Sequence, residues 1–133
     1  MTIKVKQEIT ITRKILEDIF VTAIEGGSNY WYFFNDAACD KVRDAIPEHV
    51  DPCFSTAVLR AVLDKRVAID VSDVETDEVI GSLDVNLFKR RLQDLFNDES
   101  CRQALLNMIN EEGDASDADI VFQYLIMGEV VYG

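Results

Sequence analysis

The chain has 133 residues and a mass of 15.1 kDa, the length of one domain. Hydrophobic residues make up 48% and charged residues 29%, with 6 Gly and 2 Pro, which excludes wholesale disorder and collagen-like or low-complexity chains. Acids outnumber Lys plus Arg 25 to 13, a formal net charge of −12; binding to a phosphate backbone requires cations that displace counterions, so direct nucleic-acid binding is not expected.

Read in chain order, Ile3-Lys4-Val5-Lys6 alternates and Ile9–Thr12 is β-branched, predicting an extended N-terminal segment or an edge strand with gatekeeper lysines. Thr12 is placed to cap a helix over 13–25. Its apolar residues Ile15, Leu16, Ile19, Phe20, Ala23 and Ile24 form one stripe of a 3.6-residue repeat. Gly26-Gly27 would stop that helix through positive φ. The aromatic run Tyr30–Phe34 reads as a strand. Asp36 would open a short helix that Pro47 limits, and Asp51-Pro52 would open another carrying Phe54, Ala57, Val58, Ala61 and Val62 on its apolar face.

The segments 67–71 and 78–83 predict a hairpin joined by an acidic connection. Asp84 or Asn86 would cap a helix through Phe96, and a further helix would run from about Asp98 to Gly113, burying Cys101, Leu105, Met108 and Ile109. Ser116-Asp117-Ala118-Asp119 has the pattern of a capping box, opening a last helix that stops at Gly128. The apolar tail Val130-Val131-Tyr132 is expected to be built into the fold, paired into the sheet or against a partner chain. These elements predict a single α+β domain, residues 1–133, with several helices packed on a small, mostly antiparallel sheet.

The N-terminus lacks the apolar region of a secretory signal, and no run approaches the roughly 20 residues that span a bilayer. Three widely spaced cysteines, Cys39, Cys53 and Cys101, favour reduced thiols and a cytoplasmic location over a disulfide framework.

Two segments carry a family resemblance. Val21-Thr22-Ala23-Ile24-Glu25-Gly26-Gly27-Ser28-Asn29-Tyr30-Trp31 and the stretch from Asp117-Ala118-Asp119-Ile120-Val121-Phe122-Gln123 to Val131-Tyr132-Gly133 resemble a family of small tailed-phage and prophage proteins. Its members carry a VTALEGG-x-NYW segment near the start and an AD-x-IVQYALFGE-x-V-[FY]-G segment at the end. Ser28 stands where that family often has Ile, and Tyr124–Met127 replaces its YALF. The resemblance implies expression inside a bacterial host and brings no activity with it.

The Glu25–Trp31 turn has two readings. Structurally, it is a helix stop with Tyr30 and Trp31 filling the core. Functionally, Glu25, Gly26, Gly27, Asn29, Tyr30 and Trp31 would form a ligand site, with Glu25 and Asn29 as polar contacts and Trp31 as a stacking face. It is no phosphate loop, because the glycines follow a helix rather than precede one. Asp114, Asp117 and Asp119, near Glu111 and Glu112, and with Gln123 beyond them, suggest an interaction surface. They lack the order of a calcium loop and suit a helix N-terminus.

His49 and Cys53, even with Cys39 and Cys101, lack zinc-site spacing, and no catalytic constellation, cofactor motif or metal site is read. Lys89-Arg90-Arg91 with Arg102 reads as helix-end compensation and ion pairing to Asp94 and Asp98. The expected function is an acidic, phage-encoded interaction protein that binds a host or phage protein and counters a host defence. The alternatives are a virion, assembly or homo-oligomeric structural protein, and a small ligand- or nucleotide-binding protein using the Glu25–Trp31 turn.

Overall fold

The computed structural model describes residues 1–5 and 8–133. Helix α1 (Arg13–Thr22) starts where the Thr12 hydroxyl accepts from the Ile15 amide. It buries Ile15, Ile19 and Phe20, as the stripe predicts. The helix does not stop at a left-handed glycine. It passes into a π-helical turn, Ala23–Gly27, in which Gly26 has an extended φ of 163°; among the described glycines only Gly128 has a left-handed φ, 78°. Gly27 serves close packing instead, since a Cβ there would lie 3.0 Å from the Thr22 carbonyl oxygen and 3.3 Å from that of Ala115.

Strand β1 is only Tyr32–Phe33, shorter than the aromatic run suggests. Asn35, rather than Asp36, caps α2 (Asp36–Ala45) by accepting from the Ala38 amide. Asp51 caps a turn through the Cys53 amide, and α3 begins later, at Ser55–Leu63. That delay leaves Phe54 outside the helix and exposed, while Ala57, Val58, Ala61 and Val62 are buried. Strands β2 (Ile69–Asp73) and β3 (Val79–Leu83) form the predicted hairpin. Asp84 caps α4 (Val85–Asn97), and α5 is Arg102–Ile109. The capping box of α6 (Ala115–Met127) is Asp114 with Asp117, two residues before the expected start, and Gly128 closes the helix.

The protein is an α+β fold of six helices around a three-stranded antiparallel sheet ordered β1-β2-β3. Residues 1–5 and 8–12 form no strand; Lys6, one of the expected gatekeepers, lies outside the described residues. Helix α6 is the centre, touching α1, α4, α5, β3 and the π-helical turn. It buries Ala118, Val121, Phe122, Leu125 and Ile126 on several faces, as a helix apolar all round must. Phe122 packs against the rings of Phe20, Trp31 and Tyr32. No helix among the described residues is long and apolar enough to cross a membrane.

Two of the cysteines are not free thiols. Cys39 of α2 and Cys53, just before α3, are joined by a disulfide across 14 residues of sequence, while Cys101 is free and half-buried. The spacing gave no sign of this because the pairing depends on α2 folding back on the lead-in to α3, which brings the two Cα atoms to 5.7 Å.

Candidate functional site

The chain from Ser28 to Trp31 turns back against the first half of α6 and meets one carboxylate. Asp119, 7% exposed, accepts from Ser28 Oγ at 2.6 Å and Trp31 Nε1 at 2.8 Å through Oδ1, and from Tyr30 OH at 2.5 Å and Gln123 Nε2 at 3.1 Å through Oδ2. A carboxylate buried with four donors is a satisfied acceptor. The segments 21–31 and 117–133 are thus joined at one point. Ser28 is one of the donors and is fully buried.

One helical turn on, fully buried Gln123 holds the C-terminal tail. Its Oε1 accepts from the amides of Val131 at 2.9 Å and Tyr132 at 3.0 Å, and its Nε2 donates to the Tyr132 carbonyl at 2.9 Å. The amide side chain thereby supplies the pairing that a neighbouring strand would. The Tyr132 ring stacks on Trp31 with centroids 5.1 Å apart, and its hydroxyl donates to Asp73 Oδ2 at 2.6 Å. That bond, ahead of the loss of solvent, pushes the Tyr132 phenol up to about 12 and holds the Asp73 carboxyl down. The tail is built in as expected, but through Tyr132; Val130 and Val131 stay exposed.

This arrangement separates the residues of the proposed ligand turn. Trp31 is 1% exposed and offers no free stacking face. Glu25 is turned to α3, where its Oε1 accepts from the Ser55 amide at 3.1 Å; a carboxylate at a helix N-terminus is favourable and replaces the missing side-chain cap. Tyr30 is more than half exposed and does not fill the core. Asn29 alone of that turn lines an open depression of about 420 Å³, together with Ile24, Tyr32, Phe33, Phe34, Cys53 and Val74. Apart from Asn29, the Tyr32 hydroxyl and the disulfide sulfur, the lining side chains are apolar.

The proposed acidic surface is divided in the same way. Asp114 and Asp117 bind one another's amides in the capping box, whereas Asp119 and Gln123 are buried and cannot touch a partner. No group of three or more His, Cys, Asp or Glu among the described residues is placed to hold a metal ion. His49 stacks on Phe54. Lys89 and Arg90 face solvent, but no ion pair to Asp94 or Asp98 forms among the described residues. Instead Arg102 donates to the Phe96 carbonyl and lies over the Phe96 ring, and Asp98 accepts from the Tyr124 hydroxyl.

Sequence reasoning missed Asp119 as the point where the motifs meet. The available signal was an Asp and a Gln four residues apart in a helix otherwise apolar on several faces, a spacing that puts both on one side. No family model, curated protein or solved structure matches the chain.

Proposed function

We propose that the chain is a phage- or prophage-encoded interaction protein that acts in the bacterial host by docking a segment of a host or phage protein, with interference in a host defence as its role. The observation that carries the reading is the apolar depression beside β1. The polar groups of the neighbouring turn are engaged internally: Glu25 on α3, and Ser28, Tyr30 and Trp31 on Asp119. What faces outward is hydrocarbon, aromatic ring and Asn29, a surface suited to apolar side chains of a protein. Val74 in its wall is exposed. The net charge of −12 favours a partner with a basic surface and speeds its approach at low salt.

The test is affinity capture from the bacterial host, followed by rebinding of the captured protein in purified form to wild type and to Val74→Asp. Val74 is exposed, so the variant keeps its fold while placing a charge on the docking surface. Equal binding by both forms, or no rebinding at all, would remove the depression from the reading.

A further inference from the structure

We infer that the depression beside β1 receives the N-terminal segment Thr2–Val5 of a second copy of this chain, so that copies self-associate by exchanging arms. The inference rests on reading the depression as a docking surface and names an occupant for it.

The arm supplies the first half of the argument. Ile3 is 76% exposed and Val5 85%, and residues 1–5 have no regular structure. In an extended chain, residues two apart share a face about 7 Å apart, so Ile3 and Val5 project together while Lys4 projects opposite. Two β-branched side chains thus stand in water on a segment whose composition suits a strand.

The receiving surface supplies the second half. Among the described residues β1 pairs with β2 alone and lies at the edge of the sheet, the side on which an extended segment adds by β-augmentation. Tyr32, Phe33, Phe34 and Val74 wall an apolar space beside it. Exposed acids adjoin the lining in the chain: Glu75 next to Val74, and Asp51 two residues from Cys53.

Charge selects the occupant. Bodies carrying a net charge of −12 repel one another, but the first seven residues carry Lys4 and Lys6 and no acid. The arm is therefore the part of a second copy that the acidic rim attracts. A two-fold exchange makes the contact twice, with the same pieces on both sides.

The experiment combines light scattering across the micromolar range with zero-length carbodiimide cross-linking of mixed isotopically light and heavy copies. The expected result is a concentration-dependent dimer, weakened by salt, with light–heavy cross-links from Lys4 to Glu75 or Asp51. Ile3→Asp with Val5→Asp, and separately Val74→Asp, should each weaken self-association by about tenfold or more without changing the melting temperature, because all three side chains are exposed. A monomer at all concentrations, a dimer indifferent to the arm variant, or cross-links confined to one copy would overturn the inference. If Val74→Asp also loses a captured partner while wild type stays monomeric, the occupant is another protein: this inference fails and the docking reading stands.

Discussion

At Asp119 four donors converge on one carboxylate, so the side chain cannot be replaced by a neutral isostere without conflict. Asp119→Ala leaves Ser28 Oγ and Trp31 Nε1 buried without an acceptor, each worth about 1–3 kcal/mol. The variant should lose about 3–5 kcal/mol in chemical denaturation. Asp119→Asn should also be destabilised by more than about 1 kcal/mol, because its NH₂ would face groups that themselves donate. A loss below that in both variants would show that the four bonds do not bind the turn to α6. Asp98 behaves differently. The Tyr124 hydroxyl, then Ser100, holds its carboxyl down from 3.8 to about 2. The folded value lies below the unfolded one, so the stability this contact adds is present above pH 4 and is lost as pH falls toward 2. Asp98→Asn should flatten the acid limb of stability in that window, measured as denaturation midpoints against pH.

At the scale of elements, the C-terminal tail depends on one side chain of α6 and one ring. Tyr132→Phe removes the hydroxyl that donates to Asp73 while keeping the stack on Trp31. Its phenol is raised from 10.0 to about 12, so the stability due to that bond is complete below pH 10 and disappears as pH rises through 12. Ultraviolet titration should therefore lose one late-titrating phenol in Tyr132→Phe, and the variant's stability should change less between pH 10 and 12 than that of wild type. Gln123→Leu should detach the tail more completely, leaving the Val131 and Tyr132 amides without their acceptor. Where β3 meets α6, a Cβ on Gly81 would overlap the Ile126 carbonyl. Because that neighbour is backbone, Gly81→Ala should cost more than about 1 kcal/mol in thermal denaturation. The strand propensity of Gly does not explain its presence in β3; the approach of α6 does.

For the whole molecule, the Cys39–Cys53 bridge ties α2 to the start of α3, with Cys53 in the wall of the depression beside β1. Closing a loop of this length restricts the unfolded chain by about 3 kcal/mol in the chain-entropy account. Reduction, or Cys39→Ser with Cys53→Ser, should therefore lower the melting temperature without abolishing the fold, because the core around α6 lies elsewhere. Counting free thiols in the native protein, one against three, reads the state of the bridge directly. Unchanged melting on reduction would show that the bridge adds nothing to the fold.

The hydrophobic periods of α1 and α3, the hairpin of β2 and β3, Thr12, Asp84 and Gly128 at helix ends, and the α+β class were legible because each depends on neighbours within a few residues. Asn35 taking the place of Asp36, and Asp114 that of Ser116, were shifts of one or two positions among residues that cap equally well. The sequence also marked the Glu25–Trp31 turn and the α6–tail segment as the distinctive parts of the chain. It left open what they do. The decision between polar ligand contacts and internal bonds fell to contacts 88 to 91 residues apart, Trp31, Tyr30 and Ser28 on Asp119. The disulfide fell to the packing of α2 on the lead-in to α3, and the length of β1 to the two residues that β2 can reach. Local pattern encodes which face of an element is apolar; which buried donor finds which buried acceptor is settled only when those faces close on one another and exclude water.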